Sequence, residues 1–302
     1  MPYSLHPTLQ AFVEHSEAFT PTSPGLAGQR QAYLAMAAHF TPAAPAGLGE
    51  TDLQPPGCAP LRLYQPQGPQ PAAGWPAVLY LHGGGWCVGN LDSHNFICRA
   101  MAVALRAQVL AVDYRLAPEH PYPAALLDAL AAWHWLREQP GTDSQRLLVA
   151  GDSAGATLAA GLCLALARQA GPQPRGQALV YPLLGPGGTP SYAEHAEAPL
   201  LAAADVRQYL NAYLPAQAWA DPLALPLLAT ELHGTAPAFI ATAEYDPLRD
   251  DGALYARQLA AAGTVVEYLE AKGWLHGGLR ALASPATEQV LQAWFGWMAG
   301  RL

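Results

Sequence analysis

The stretch that most constrains this chain reads Val149-Ala150-Gly151-Asp152-Ser153-Ala154-Gly155. The mostly apolar residues 146–150 predict a short buried strand, and the small and aliphatic residues 154–167 predict a helix. Between the two, Ser153 stands in a G-x-S-x-G pattern, which is typical of a serine on a sharp strand-to-helix turn. Glycine on either side lets neighbouring backbone pass close by, and the new helix aims free N–H groups at a developing anion. The stretch therefore predicts an exposed, activated serine hydroxyl.

Composition excludes several classes of protein. With 302 residues, 51% of them hydrophobic and 13% charged, the chain suits one large α/β domain with insertions. The net charge is −8, Lys272 is the one lysine, and there is no basic cluster, so nucleic acid is not expected as a partner. Residues 1–20 lack the pattern of a signal peptide, and no apolar stretch is long enough to span a bilayer. We therefore expect a cytoplasmic protein without membrane insertion.

The cysteines do not indicate a metal site. Cys58, Cys87, Cys98 and Cys163 form no C-x-x-C pair and have no metal-ligand spacing, so free thiols in a reducing compartment are expected. Cys163 lies in the apolar helix, which favours a core position. Cys87 follows a glycine-rich loop, where a structural role is favoured over a place in the site. No metal and no cofactor are predicted.

Alternation of predicted strands and helices indicates a mostly parallel sheet with helices on both faces. The predicted strands are 61–64, 76–81, 108–112, 146–150, 177–181, 238–243 and 264–270, and the predicted helices are 7–19, 29–39, 92–106, 124–138, 154–167, 252–262 and 285–300. Residues 41–60 are expected to form a linker. Residues 185–226 break the alternation and predict an insertion with a helix at 202–213. Ligands of such sheets bind beyond the carboxyl ends of the strands, where every motif considered below falls.

A serine hydroxyl needs a base to accept its proton and a third group to orient that base. Where this turn is used, the partners follow in the chain order serine, carboxylate, histidine. His276 is the one histidine that follows the late carboxylates, and it lies in a glycine-flanked loop after a strand. Asp246 is the leading carboxylate because it comes just after the strand predicted at 238–243. Glu244 is the alternative.

The tetrahedral intermediate also needs hydrogen-bond donors for its negatively charged oxygen. Gly83 and Gly84 follow the strand predicted at 76–81 and can present backbone N–H groups without side chains in the way. The N–H of Ala154, directly after the nucleophile, would supply a third donor. His82 is expected to hold this loop by a hydrogen bond and to take no part in the chemistry.

Four motifs, in this order along the chain, carry a resemblance to a known family. They are His82-Gly83-Gly84-Gly85-Trp86, Asp113-Tyr114-Arg115-Leu116-Ala117-Pro118-Glu119, Gly151-Asp152-Ser153-Ala154-Gly155 and Asp246-Pro247-Leu248-Arg249-Asp250. Together they make residues 55–302 resemble the hormone-sensitive-lipase-like esterases, the bacterial family IV carboxylesterases. The block from Asp113 to Glu119 has no obvious catalytic role and is interpreted as structural.

The resemblance implies an α/β-hydrolase fold in residues 51–302 with a helical cap, built from residues 1–50 and the insertion at 185–226. It also implies a catalytic triad of Ser153, Asp246 and His276, an oxyanion hole of Gly83, Gly84 and Ala154, cofactor-free hydrolysis of short-to-medium acyl esters, and a possible homodimer. The chain departs from the family at one position. An aromatic residue often stands two positions after the histidine, and here that residue is Gly278, so the packing behind His276 is not implied.

The predicted reaction is acyl transfer from a small-molecule ester to Ser153, followed by hydrolysis of the acyl-enzyme. Trp86, Tyr209 and Tyr213 are candidates for the lining of an apolar substrate pocket, with ordinary cap core as the alternative. An amidase or arylformamidase would use the same triad, so the sequence leaves that activity open. A non-catalytic small-molecule receptor on the same scaffold is a further alternative, which the intact triad disfavours.

Overall fold

The computed structural model describes residues 3–302. Within that range eight strands form one sheet: β1 Leu48–Leu53, β2 Leu61–Pro66, β3 Trp75–Leu81, β4 Gln108–Val112, β5 Thr142–Asp152, β6 Gln177–Val180, β7 Ala238–Tyr245 and β8 Val266–Leu275. The α-helices of the same range are α1 Pro7–Ser16, α2 Gly25–Phe40, α3 Asn95–Leu105, α4 Ala124–Arg137, α5 Ala154–Arg168, α6 Pro190–Glu194, α7 Ala203–Tyr213, α8 Arg249–Ala261 and α9 Pro285–Ala299.

The strand order is β1-β2-β4-β3-β5-β6-β7-β8. From β4 to β8 all neighbours are parallel, and β1 and β2 add an antiparallel edge. The predicted mostly parallel sheet is therefore confirmed. The central strand β3 is buried along its whole length, as expected when helices cover both faces of a parallel sheet.

The sheet separates two apolar cores, and alternate residues of a strand enter opposite cores. Along β3, Leu79 and Leu81 enter the core beneath α4, α5 and α8, whereas Val78 and Tyr80 enter the core beneath α3 and α9. Helix α5 is buried continuously from residue 154 to residue 166, which explains why its sequence is apolar on every side. No helix within residues 3–302 is long and apolar enough to cross a bilayer.

Several strand ends differ from the sequence expectations; β5, for example, begins at Thr142 and not at the predicted residue 146. Two further differences bear on the domain boundary and on the site. Residues 48–53 lie in the predicted linker but form β1, a largely exposed edge strand whose sequence, LGETDL, lacks the apolar alternation that reveals a strand. The domain boundary predicted at residue 50 falls inside this strand. Strand β8 continues to Leu275, beyond the predicted end at residue 270. Its pairing with β7 is irregular between Ala243 and Tyr245 of β7, but Tyr245 still pairs with Leu275. Asp246 and His276 therefore follow directly on two paired strands.

The N-terminal helices and the insertion lie on the side of the molecule where the parallel strands end. Helix α2 is held there by Arg30, which donates to the carbonyl oxygen of Cys87 at 2.8 Å and pairs with Glu119 at 2.7 Å. The insertion packs on α5, where Leu223 lies close to Gly161. A Cβ added to Gly161 would be 2.6 Å from the carbonyl oxygen of Leu223. Tyr33 of α2 and Tyr209 of α7 line one cavity together with Ser153, which follows the end of β5, so both segments reach the carboxyl ends of the strands.

Candidate active site

Ser153 occupies a strained turn between β5 and α5. Its backbone has φ +52° and ψ −123°, a region that non-glycine residues rarely adopt. The glycines on either side are required by close contacts. A Cβ on Gly155 would lie 2.0 Å from the carbonyl oxygen of Leu81, and one on Gly151 would lie 2.7 Å from the same oxygen. The turn can form only because β3 passes beside two residues that lack side chains.

The structure brings Ser153, His276 and Asp246 into one hydrogen-bonded chain. The Oγ atom of Ser153 lies 2.9 Å from Nε2 of His276, and Nδ1 of His276 lies 2.8 Å from Oδ2 of Asp246. Asp246 is completely buried, and its Oδ1 accepts the N–H of Leu248 at 2.8 Å. Since a carboxylate can only accept, Nδ1 of His276 carries the proton and Nε2 is free to accept the serine proton. This arrangement can generate a serine nucleophile.

Glu244, the alternative carboxylate, is directed elsewhere. Its Oε2 accepts the N–H of Gly273 at 2.6 Å, and its other oxygen lies 3.5 Å from the ammonium group of Lys272. Within residues 3–302 it makes no hydrogen bond to His276. The geometry therefore favours Asp246 as the carboxylate that orients the histidine.

The predicted oxyanion donor Gly83 needs a correction. Its N–H is already used, because it donates to Oδ1 of the buried Asp152 at 2.9 Å. Gly84 and Gly85, in contrast, line the same cavity as Ser153, and within residues 3–302 their N–H groups have no acceptor. Ala154 is the first residue of α5, and the first N–H groups of an α-helix have no acceptor within the helix. The amides in position to receive an oxyanion are thus those of Gly84, Gly85 and Ala154.

Asp152 joins the serine turn to the glycine loop. Besides the N–H of Gly83, its Oδ1 accepts the hydroxyl of Tyr80 at 2.6 Å, and Nε2 of His94 lies 3.5 Å away. Burial alone would raise the pKa of Asp152, but His94, Tyr80 and the positive charge of Arg280 together lower that pKa to about 2. The carboxylate is therefore anionic at neutral pH and available as an acceptor.

His82 and Tyr114 support the glycine loop from behind. Nδ1 of His82 donates to the carbonyl oxygen of Gly83 at 2.8 Å, and burial lowers the pKa of His82 to about 3. The ring of Tyr114 stacks on His82 at 4.2 Å, and its hydroxyl donates to the carbonyl oxygen of His82 at 2.7 Å. These contacts give both His82 and the block that contains Tyr114 a structural role.

A cavity of about 190 Å³ opens beside the serine and is mostly apolar. Tyr209 lines it, as predicted, with its ring directly over Gly85. Trp86 and Tyr213 do not line it, which corrects that part of the prediction. Trp86 is fully buried, and its ring stacks on Tyr213 at 4.1 Å, so the two form cap core. The alternative interpretation, ordinary core, applies to this pair because each ring is covered by the other and by its neighbours.

A second cavity, of about 380 Å³, leads outward from the first between α1, α2 and α7. The two share the residues Ser16, Tyr33, Met36, Val88, Leu200 and Tyr209. Two carboxylates belong to its lining, the exposed Glu17 and the half-buried Asp205. The second cavity therefore adds negative charge beside the mostly apolar first one.

Three residues of the site were missed by sequence reasoning. Asp152 was treated only as part of the G-x-S-x-G pattern. Tyr181 packs its ring against the imidazole of His276, with 4.4 Å between the ring centres. A side chain at Gly278 would not fit, since a Cβ there would lie 2.4 Å from Trp274. Arg280 is a buried cation in the cavity wall that no motif indicates.

Comparisons with known proteins agree with this geometry. The family model described as the alpha/beta hydrolase fold matches residues 78–280. Carboxylesterase NlhH of Mycobacterium tuberculosis is 44% identical over 241 residues, which cover 76% of this chain and 75% of that protein. Ethyl acetate hydrolase of Pseudomonas putida is 42% identical over 228 residues, covering 73% and 71%. The crystal structure of a thermostable esterase from Pseudomonas putida ECU1011 matches with a TM-score of 0.91 and 30% identity, covering 100% of this chain and 98% of that one.

Proposed function

This chain belongs to the alpha/beta-hydrolase family and is a carboxylic ester hydrolase, and we propose that its substrates are short-to-medium acyl esters. In this proposal Ser153, His276 and Asp246 carry out the hydrolysis through an acyl-enzyme intermediate. The four motifs assign it, within that family, to the hormone-sensitive-lipase-like group. The observation that carries the proposal is the unbroken hydrogen-bonded chain from the serine hydroxyl to the buried carboxylate, beside amide donors that have no other acceptor.

In the first half of the reaction His276 accepts the proton of Ser153 at Nε2 while Oγ attacks the ester carbonyl carbon. The carbonyl oxygen becomes an oxyanion and accepts hydrogen bonds from the three free amides described above. Asp246 stabilises the imidazolium that forms, and it holds the ring in place. The intermediate collapses as the C–O bond breaks, and the alcohol leaves with the proton that His276 carries.

In the second half a water molecule repeats these steps on the acyl-enzyme. His276 accepts a proton from the water, the resulting hydroxide attacks the acyl carbon, and Ser153 leaves with the proton that His276 returns. Asp152 takes no part in proton transfer. We propose that it fixes the distance between the glycine loop and the serine turn, because its carboxylate is bonded to the first and its backbone belongs to the second.

The test is the pair Ser153→Ala and Ser144→Ala. We expect Ser153→Ala to lower kcat for p-nitrophenyl butyrate by about 10⁶-fold, since the nucleophile is lost. Labelling by a fluorophosphonate should disappear in the same variant. Ser144 is exposed at the far end of β5, so its variant should keep both properties. Activity and labelling that survive in Ser153→Ala would contradict the proposal.

We also propose that residues 1–50 and 185–226 act as the cap, since helices from both segments enclose the path to the serine. The homodimer stays a prediction from the resemblance, and the cytoplasmic location stays a prediction supported by four free cysteines.

A further inference from the structure

Arg280 is an unusual residue for an apolar cavity wall. It ends the short 3₁₀ turn Gly278–Arg280 that follows His276, and it lines the cavity that holds Ser153. The residue is 7% exposed, so its charge is almost wholly removed from bulk solvent. The catalytic steps proposed above do not use it.

The guanidinium has more donors than acceptors around it. Of its five N–H groups, Nη2 donates to the carbonyl oxygen of Ser93 at 2.6 Å and lies 3.4 Å from the hydroxyl of Tyr33. Nε and Nη1 have no acceptor among residues 3–302, and no carboxylate of that range lies within 4.0 Å of the side chain. Nη1 is completely covered, whereas Nε is not and can donate to a ligand that enters the cavity.

Aromatic rings fix where the guanidinium lies. Its central carbon is 4.6 Å from the centre of the Phe96 ring and 5.6 Å from that of Tyr33, which are cation–π distances. Tyr33 belongs to the wall of both cavities. Arg280 and Tyr33 therefore form a polar patch, fixed in position by packing, on the path that leads to the serine.

The surrounding charges indicate which kind of acceptor fits. The anionic Asp152 lines the same cavity, and within the described residues its Oδ2 accepts no hydrogen bond. Glu17 and Asp205 add two carboxylates to the wall of the second cavity. Asp152 already balances the positive charge of Arg280, so the walls of the two cavities carry a net negative charge, which disfavours an incoming carboxylate relative to an uncharged oxygen.

We propose that Arg280 and Tyr33 form a specificity subsite for a second, uncharged carbonyl oxygen of the ester substrate. The inference rests on the proposed function and names its substrate class. Substrates that carry such an oxygen some carbons from the scissile ester, in the acyl or in the alcohol part, are preferred over the plain alkyl ester of equal length. A carboxylate at the same position is disfavoured.

The test compares matched esters with the purified enzyme. On the acyl side these are p-nitrophenyl hexanoate, the p-nitrophenyl ester of monomethyl adipate and p-nitrophenyl monoadipate. On the alcohol side they are hexyl acetate, methyl 6-acetoxyhexanoate and 6-acetoxyhexanoate, followed by the release of acetate, which reports cleavage of the acetyl ester alone. We expect kcat/KM to be about tenfold higher for the methyl-ester member than for the plain ester in one of the two sets, as a hydrogen bond to a charged group allows.

The variant Arg280→Met removes the donors and keeps the length of the side chain. The readout is the ratio of kcat/KM within a set, so a general loss of activity does not enter it. We expect the ratio to fall to near one in Arg280→Met and to stay at the wild-type value in Arg257→Met, an exposed arginine of α8. Arg280→Lys, which keeps the charge but not the planar group, serves if the methionine variant fails to fold, and should lower the ratio.

Three results would overturn the inference: equal rates for plain and methyl-ester members in both sets of the wild-type enzyme, a preference that persists in the Arg280 variants, or fastest turnover of the carboxylate members. These three results differ from the result that would refute the proposed function. If the proposed function were wrong, the Ser153→Ala variant would hydrolyse the plain esters as fast as the wild type does.

Discussion

Asp152 shows how one side chain can set the geometry of two separate parts of a site. Its neighbour in sequence is the nucleophile, and its carboxylate accepts the N–H of Gly83, 69 positions earlier in the chain. Gly84 and Gly85, whose amides we propose as oxyanion donors, follow Gly83, and the third proposed donor, Ala154, follows Ser153. The spacing between these donors therefore depends on a single buried acceptor.

We predict that Asp152→Ala lowers kcat by about 10²-fold, because the loop loses its anchor and at least one oxyanion donor is misplaced. Affinity for a trifluoromethyl ketone, which forms a tetrahedral adduct with the serine, should fall in parallel, while KM changes little. Tyr80→Phe is the control. It removes one donor to Asp152 but leaves the bond to Gly83, so both properties should be largely kept. Unchanged ketone affinity in Asp152→Ala would contradict the positioning role.

The two carboxylates at the end of β7 can be distinguished by substitution. We predict that Asp246→Asn lowers kcat by about 10⁴-fold, since an amide can no longer hold the productive tautomer of His276. Glu244→Gln should retain activity, because Glu244 is bonded to Gly273 and not to the histidine. Steady-state kinetics on p-nitrophenyl butyrate measure both. The reverse pattern would make Glu244 the orienting acid.

At the scale of elements, the contact between β3 and α5 is the one that permits the serine turn. Helix α5 begins so close to the end of β3 that Gly155 lies directly against the carbonyl oxygens of Leu81 and His82. The same closeness lets the glycine loop, which continues from β3, face the first amide of α5. Packing of these two elements thus places Ser153 beside the amides that we propose as oxyanion donors.

We predict that Gly155→Ala lowers the free energy of unfolding by about 2 kcal/mol, since its Cβ would meet the backbone of Leu81 at 2.0 Å. Gly296→Ala is the matched control in α9, where an added Cβ meets nothing within 4 Å. Because alanine favours a helix, that variant should be more stable by about 0.5–1 kcal/mol. Urea unfolding followed by tryptophan fluorescence measures both, and equal stability of the two variants would refute the steric argument.

At the scale of the whole molecule, a buried carboxylate couples stability to pH. Asp251 of α8 is fully buried and accepts the N–H groups of Leu184 and Gly185 at 3.1 and 2.9 Å, which ties the start of the insertion to the domain. Burial, and to a smaller degree the charge of Asp246, raise the pKa of Asp251 from 3.8 to about 7, although the two amides lower it. The folded protein therefore holds this proton more tightly than the unfolded chain does.

It follows that the contribution of Asp251 to stability is fully present below about pH 4 and is lost as the pH rises to about 7. We predict that Asp251→Asn, which stays neutral and can still accept an amide N–H, removes this dependence. Its free energy of unfolding relative to wild type should rise between pH 5 and pH 7, by at most about 1.4 kcal/mol per pH unit. Urea titrations at four pH values measure this difference, and parallel curves would contradict it.

The sequence alone determined the parts of this protein that local chemistry encodes. Hydrophobic periodicity predicted the parallel sheet, the glycine spacing around Ser153 predicted the turn, and chain order selected His276 and Asp246. These signals are local because a strand, a tight turn and a helix each leave a pattern within about ten residues. The family resemblance drew on the same short motifs.

The tertiary structure decided what depends on contacts between distant residues. Gly83, Gly84 and Gly85 are indistinguishable in the sequence, and only the position of Asp152 shows which amides are free. Burial of Trp86 against the cap, and the presence of Arg280 in the cavity wall, likewise follow from packing of segments far apart in the chain. Periodicity carries no information about such pairs, because a hydrogen bond or a stacked ring depends on where two elements meet in space.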